Sequence, residues 1–575
     1  LGGAFLNMQI ADYLHLALFS ILLILLTKPL GIYIEKVLNP KERLILTPVL
    51  GPLERFIYRV SKINREEEQN WKEYLGSVLG FSLICLLVTS FMLALQYYLP
   101  FNPQKFKAPS WHLNLNTAVS FMTNTNWQSY AGEATMSYFS QMANLALQNF
   151  VSASVGLSVA GALVRGFAKK SSKTIGNFWT DLVRISLYLL LPICIISAVF
   201  FMAEGVPQNF KPYIEATTLE GSTQSIVQGP MASQEAIKLL GTNGGGFTNT
   251  NSAHPFENPT PLTNFIQILL LMVIPAAQIY YYGRAIENTK HAWYIFGALG
   301  AVFLVAVLIC SFAEIRGNPE FAKLGVAQSN WEGKETRIGI FGSALFAAAT
   351  TATSCGAVNC SHDSLTPMGG FIPLINMELG EAIFGGIGAG LYSVLIFVLL
   401  AIFIAGLIIG RTPEYLGKKI EAYDIKMTVL AVLPYVLIVH VLTAICCFSQ
   451  WGLAGLGNQG PHGFSEILYA FSSAAANNGS AFAGLNPDAS WYNITLSIAM
   501  LLGRFFVIIP VLALAGSLVE KKVHPSTLAS FPISSFIFVS LLIGVILLVG
   551  ALTFLPALTM GPIIEEFFML KGTFF

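Results

Sequence analysis

Charge is what this sequence has least of: Asp, Glu, Lys and Arg make up 11% of its 575 residues, against about 25% in ordinary water-soluble domains. With 54% hydrophobic residues and a mean hydropathy of +0.63, that shortage excludes a soluble globule. Net charge is missing as well. The 32 Lys+Arg are balanced by 31 Asp+Glu, so bulk charge suggests neither a nucleic-acid surface nor a strongly basic lipid-binding face. Cysteine is sparse, and its seven copies (Cys85, Cys194, Cys310, Cys355, Cys360, Cys446 and Cys447) lie mostly inside apolar runs. They read as small core residues, not as a disulfide framework. Nucleotide chemistry is absent too. The nearest approach to a phosphate loop, Gly410 to Lys418, has six residues between its glycines and Lys419 where the hydroxyl belongs. No Asp-Lys-Thr-Gly phosphorylation sequence occurs, and no loop is long enough to fold a nucleotide domain.

What the sequence does contain is long apolar runs. A helix needs about 20 apolar residues to cross a bilayer. Ten stretches qualify, at 13–34, 74–98, 140–167, 182–202, 262–282, 292–312, 384–410, 427–448, 492–518 and 531–555. The first has neither a strongly basic leader nor a small-residue cleavage site, so it reads as a retained span, with Met8 the candidate natural start. The loop after it carries eight Lys and Arg residues, which makes that loop cytoplasmic and turns both termini outward. Alternating from there puts 20 basic residues on the cytoplasmic side and nine outside. A missed span would scramble that bias.

Four outer loops each carry a further apolar segment too short to span, followed by a small polar strip. The first segment runs from Leu115 to Met122 and stops at Thr123-Asn-Thr-Asn-Trp-Gln128. The second runs from Gln234 to Leu240 and stops at Gly241-Thr-Asn-Gly-Gly-Gly246. The third passes from Ile338 to Ala349 and reaches Thr353-Ser-Cys-Gly-Ala357, and the fourth goes from Phe464 to Ala476 and reaches Asn477-Asn-Gly-Ser480. The fold class expected is an all-α polytopic membrane protein of ten transmembrane helices, with four pseudo-repeats of helix, pore helix, filter loop and helix. Irregular chain at membrane depth survives only where protein or a wet cavity surrounds it, so the strips line something. A short helix ending in mid-membrane aims the negative end of its dipole there and favours a cation. No strip holds an acidic residue, which argues against Ca²⁺ or Mg²⁺ and for a ring of neutral oxygens suited to K⁺. One strip alone reads as an ordinary Gly/Asn turn. Four in register do not.

Several strings resemble a known family: Asn124-Thr-Asn-Trp-Gln-Ser-Tyr, Gly241-Thr-Asn-Gly-Gly-Gly-Phe, Ser252-Ala-His-Pro-Phe-Glu-Asn-Pro259, Ser354-Cys-Gly-Ala, Gly410-Arg-Thr-Pro-Glu-Tyr-Leu-Gly-Lys-Lys419 and Asn477-Asn-Gly-Ser-Ala-Phe-Ala-Gly484. Together they resemble the KdpA family, the potassium-binding subunits of bacterial potassium-importing P-type ATPases, from about Met8 onward. Leu1 to Asn7 look foreign to it, and Asn359-Cys-Ser-His362 departs from its pattern beyond the third strip. The resemblance implies the fold of the potassium-channel-like transporter superfamily. It implies a selectivity filter at Thr123, Asn124, Thr125 and Asn126 with Gln128 nearby, Thr242, Asn243 and Gly244, Ser354, Cys355 and Gly356, and Asn477, Asn478 and Gly479. K⁺ is then the bound substrate and the only metal, with no organic cofactor. ATP is hydrolysed on a partner P-type subunit, in a complex that also holds a single-span accessory subunit and a very small lipid-like subunit in the bacterial inner membrane. The repeats are expected at 73–168, 178–283, 291–411 and 426–519, flanked by an extra helix at 1–35, a cytoplasmic loop at 36–72, and a last helix with outer tail at 530–575.

Internal charges are the next candidates, since buried or boundary charges are where passage is controlled. Arg411, at the inner end of the seventh span, is part of a leak barrier in the family reading and a positive-inside anchor otherwise. Arg504 lies well inside the ninth span, with Glu381 its expected partner. Cys355, Cys360, His362 and Asp363 could ligate Zn²⁺, but their spacing matches no standard site. Lys169-Lys170 and Lys418-Lys419 read as solvated cytoplasmic faces open to the ATPase subunit or anionic lipid, and His254 as a loop residue near the outer mouth. Two rivals stand beside the importer subunit: a self-sufficient K⁺ channel or ion-gradient-driven transporter with the same pore, and a membrane scaffold whose strips are merely turns.

Overall fold

In the computed structural model the chain is described over residues 8–326, 328–524 and 531–573; the expectation about Leu1 to Asn7 lies outside them. Ten helices there are long and apolar enough to cross a membrane. They are Ile10–Val37, Trp71–Ala94, Ser140–Ala168, Phe178–Ala203, Pro261–Ala285, Thr289–Phe321, Ala389–Ile409, Ala422–Phe448, Ser490–Glu520 and Phe536–Leu570. Each matches an apolar run of the sequence, so the chain is an all-α multi-pass membrane protein. The second span ends earlier than hydropathy suggests, because Gln96–Tyr98 turns off as a short 3-10 segment. The third, fourth and tenth spans each contain a π-helical stretch: Ser140–Ala146, Ile185–Leu190 and Thr559–Ile563.

Helix ends follow local chemistry. Asn70 opens the second span by accepting from the amides of Lys72 and Glu73 at 2.9 and 3.1 Å, while the Glu73 carboxylate accepts from the Asn70 amide. The four short helices, Trp111–Met122, Met231–Leu240, Gly339–Ala352 and Gly460–Ala476, each sit between two spans and complete four pseudo-repeats. Only two small antiparallel sheets occur among the described residues. In the outer loop Ile214–Thr217 pairs with Thr223–Ile226, Ile214 opposite Ile226, and near the inner side Glu414–Tyr415 pairs with Lys418–Lys419.

Burial tells which helices face the axis. The spans that follow the strips have 83%, 78%, 56% and 61% of their apolar windows buried, against 22%, 39%, 50% and 33% for the spans that precede the short helices. The former make an inner palisade around the strips; the latter, with the first and tenth spans, present apolar faces to lipid.

The third repeat corrects the sequence reading. Hydropathy starts the seventh span at 384, but the helix begins at Ala389. A separate half-helix, Pro367–Glu378, precedes it, and residues 379–388 are unwound between the two. Glycines 380, 385 and 388 in this loop have positive φ. Gly388 shows why: besides its φ of +75°, a Cβ there would run into the backbone of Gly156 on the third span.

Candidate ion-binding site

The four strips meet. Each short helix ends in a backbone that reverses hand: Asn124 (φ +65°) and Asn126 (+55°), Thr242 (+46°) and Gly244 (+107°), Ser354 (+53°), and Asn477 (+58°) and Gly479 (+102°). Alternating hands turn successive peptide planes the same way, which lines carbonyls up on one side of the strip. Thr242 is β-branched, so holding it there costs of order 1–3 kcal/mol, a strain typical of functional sites.

Contacts run around a closed cycle. Strip one reaches strip two through Asn124 Nδ2, which donates to Thr242 O at 3.3 Å. Strip two reaches strip three where the Gly356 amide donates to Asn243 O at 3.3 Å. Ser354 Oγ donates to Asn477 O at 3.3 Å, joining three to four, and Asn477 Nδ2 closes the ring on Thr125 Oγ1 at 3.0 Å. The backbones approach so closely that a Cβ on Gly356 would lie 2.7 Å from the Gly479 carbonyl carbon. The strip residues from Thr123 to Asn126, Thr242 to Gly244, Ser354 to Gly356 and Asn477 to Asn478 are buried, Gly479 is half-buried, and none is acidic. Gln128 is half-buried at the rim, where its amide pairs with both backbone groups of Gly246 at 3.0 Å.

One position repeats behind every strip. The carbonyls of Ser120, Lys238, Thr350 and Ser473 each accept from the amide five residues on, that of Thr125, Asn243, Cys355 and Asn478, at 2.8–3.0 Å. Three of these residues are hydroxylic and clamp their own strip. Ser120 Oγ donates to Trp127 O at 2.9 Å, Thr350 Oγ1 to the carbonyls of Cys355 and Ala357 at 2.7 Å, and Ser473 Oγ accepts from the Gly479 amide at 2.9 Å. Lys238 differs. Its ammonium is fully buried between Glu235 (2.6 Å) and Glu257 (2.8 Å). The sequence reading does not single out this cluster, although Glu235 and Lys238 at i,i+3 in a short helix between two spans were the signal.

The other expected residues separate. Arg504 and Glu381 are both buried, but no ion pair within 4.0 Å joins them among the described residues, contrary to the sequence reading. Arg504 donates to Ser152 O at 3.4 Å, while Glu381 accepts from Asn478 Nδ2 at 3.1 Å. Glu381 sits on the unwound loop, whose backbone is held by the ring itself, so its nearest donor is a strip side chain and not the ninth span. Both nonetheless line one cavity, with Glu378, Tyr392, Asn477 and Thr553. The loop runs directly beneath the strips: the Ile387 amide donates to Thr242 Oγ1 at 3.0 Å, the Gly385 amide to Ala352 O at 2.8 Å. Its four glycines at 380, 385, 386 and 388, with Gly390 just beyond, were legible as a helix-breaking cluster. Arg411 is exposed at the inner end of the seventh span, past a left-handed Gly410.

Lys418 corrects another expectation. It is buried, not solvated, and donates to three carbonyls at the inner ends of the third and ninth spans: Gly166 at 2.7 Å, Lys169 at 2.6 Å and Leu518 at 2.8 Å. Cations belong at helix C-termini, and the Leu416-Gly417 turn delivers this one there. Lys169 pairs with Glu68 at 2.8 Å, whereas Lys170 and Lys419 are exposed. Cys355, Cys360, His362 and Asp363 form no metal-holding group; among the described residues only Asp363, His462 and Glu466 bring ligand atoms within 4.8 Å of one another. His254 is half-buried in its loop.

A central ring of neutral strips inside four pseudo-repeats defines the class, and the solved structure of the potassium transporter TrkH from Vibrio parahaemolyticus shares the fold. It superposes with a TM-score of 0.52 at 13% identity, covering 87% of this chain and 98% of that one. At that identity the likeness is one of fold. The chain belongs to the family described as Potassium-transporting ATPase A subunit, whose model matches residues 17–567. It is 53% identical over 570 residues to the potassium-transporting ATPase potassium-binding subunit of Granulibacter bethesdensis, covering 99% of this chain and 100% of the relative. The same-named subunit of Mesorhizobium japonicum is 53% identical over 568 residues, again covering 99% and 100%. With bacterial relatives and ten spans, this is a multi-pass protein of the bacterial inner membrane.

Proposed function

We propose that this chain selects and binds K⁺ from the outer side and passes it into an ATP-driven import complex, the ATP being hydrolysed on a partner P-type subunit. One observation carries the reading: the strips at 123–126, 242–244, 354–356 and 477–479 are joined in a closed cycle of hydrogen bonds and offer only uncharged oxygens. Such a ring replaces the hydration shell of a monovalent cation, and the short helices add the negative ends of their dipoles. The relatives' name, potassium-binding subunit of a potassium-transporting ATPase, supports K⁺ as the ion and a multi-subunit complex as the setting. The family resemblance adds the single-span accessory subunit and the small lipid-like subunit as further partners. The repeats are taken at 73–168, 178–283, 291–411 and 426–519, with 1–35, 36–72 and 530–575 outside them.

Below the ring the unwound loop at 379–388 blocks a straight descent, and Arg504 puts a fixed positive charge beside it. The ion is instead drawn sideways into the cavity that Glu378 and Glu381 line, which is the onward path to the partner. In this reading Arg411, exposed at the inner surface, anchors the span.

Gly244→Asp tests the ring. Its φ of +107° and contact with Gly356 leave no room for a side chain, and a carboxylate would bring charge into a neutral site. In the assembled complex, half-saturating K⁺ for ATP hydrolysis should rise at least tenfold and K⁺/Rb⁺ discrimination should fall. Unchanged discrimination would return the strips to the status of turns. Steady K⁺ flux through the isolated chain in vesicles, without ATP, would replace the importer by a self-sufficient pathway.

A further inference from the structure

The second strip lacks the hydroxyl that clamps the other three, yet its backbone is held in the same shape. The substitute comes from outside the strip. Asn251, in the loop beyond it, donates its amide N–H to Gly244 O at 2.8 Å, and its own Oδ1 accepts from Lys238 Nζ at 2.6 Å. Lys238 is in turn fixed by Glu235 and Glu257, and Glu257 Oε1 also accepts from the Thr248 amide and hydroxyl at 2.6 and 2.5 Å. Asn251 is 6% exposed and holds a left-handed backbone (φ +56°), so its side chain has no alternative partner in water.

We propose that Asn251 is a positioning residue for ion selection: its amide, aimed by the buried Lys238 ammonium, sets the direction and spacing of the Gly244 carbonyl. A carbonyl oxygen has two lone pairs, so the one facing Asn251 fixes the peptide plane while the other remains for the ion. The Lys238 carbonyl completes the clamp by accepting from the Asn243 and Gly244 amides at 2.8 and 3.2 Å. One lysine therefore holds the strip by its backbone directly and by its side chain through Asn251. The ammonium itself stays off the ring because two carboxylates keep it. This inference rests on the strips being the K⁺ site.

Two variants separate the arms. Asn251→Ala removes both; Asn251→Asp keeps an acceptor for Lys238 but cannot donate to Gly244 O. In the assembled complex each should raise half-saturating K⁺ for ATP hydrolysis about tenfold and reduce K⁺/Rb⁺ discrimination, with maximal turnover within twofold of the parent. A merely structural role would lower turnover or yield of complex and leave K⁺ affinity alone. Assembled Asn251→Asp complex with parental affinity and discrimination overturns the proposal. Should neither variant assemble, hydrogen exchange on the unaltered complex decides: amides of residues 246–258 should exchange more slowly in K⁺ than in Na⁺, and equal exchange overturns it. If Gly244→Asp damages selection while the Asn251 variants do not, the ring stands and only the positioning role falls.

Discussion

The second repeat and the other three build the same strip geometry by different means. Ser120, Thr350 and Ser473 hold their strips directly with hydroxyls on the preceding short helix, bonds that need no residue beyond that helix and its strip. The second repeat uses a lysine, two glutamates and an asparagine spread over residues 235–257, all buried. Local clamps are cheap and independent, whereas a buried charge network is all-or-none, because each member left unpaired in a low-dielectric interior costs several kcal/mol. The strips look alike, but they should fail differently.

The largest expected effect follows directly. Lys238→Met strands two carboxylates with no cation, which should destabilise the protein by about 3–5 kcal/mol. Thermal unfolding in detergent should show it as a clear drop in midpoint, with loss of assembled complex. Stability within about 1 kcal/mol of the parent would mean the network is not all-or-none and would dissolve the contrast between repeats.

These differences explain what was legible in the sequence. Hydropathy marks the ten spans because each is a continuous apolar run, and the strips stand out because Asn, Gly, Ser and Thr interrupt that pattern at equivalent places. Residues such as Thr123 to Asn126 and Asn477 to Gly479 could be named because they follow their helix directly. Lys238 could not be assigned, since one of its partners, Glu257, lies 19 residues on in a loop whose path only the fold fixes. Lys418 beside Lys419 looks like a solvated pair; the turn at Leu416-Gly417 that buries one and exposes the other depends on the inner ends of two distant spans. The start of the seventh span was misplaced because Phe384, Ile387 and their neighbours are apolar enough to continue a helix, while the unwinding is dictated by close contact with the strips and Gly156. Glu381 and Arg504 looked like partners by sign alone; they share a cavity without forming an ion pair within 4.0 Å.

A hydroxyl clamp should cost less when lost. Thr350→Val keeps the shape but removes the hydroxyl whose single proton is shared between the Cys355 and Ala357 carbonyls, both at 2.7 Å. At about 1 kcal/mol per hydrogen bond, stability should fall by about 1–3 kcal/mol and the complex should still assemble. The third strip should loosen, raising half-saturating K⁺ severalfold. Ser120→Ala loses a single bond, to Trp127 O at 2.9 Å, and should cost only about 0.5–1.5 kcal/mol with a correspondingly smaller change in K⁺ affinity. An effect of Ser120→Ala as large as that of Lys238→Met would show that the first repeat, too, relies on a longer network.

The smallest expected effect lies outside the ring, where two histidines at the outer side take opposite charge states. Burial, with Lys334 nearby, pushes His362 down to about 3, so it stays neutral beside the Tyr469 hydroxyl at 2.9 Å. Burial also disfavours charge on His462, but its hydrogen bonds to Asp363 at 3.2 Å and Glu565 at 2.8 Å outweigh that and raise it to about 10. The imidazolium thus ties the fourth short helix to the chain after the third strip and to the tenth span. A raised value means stability that is complete below the ordinary 6.5 and is lost as pH climbs toward 10. The unfolding midpoint of the complex should therefore decline gently between pH 6.5 and 10, and His462→Gln, which cannot carry the charge, should flatten that decline. His362→Gln should leave the slope unaltered, since a neutral ring has no proton to lose over this range. Parallel slopes for parent and His462→Gln would show that the bridge holds without its charge, making the outer rim a set of local hydrogen bonds like the first, third and fourth strips.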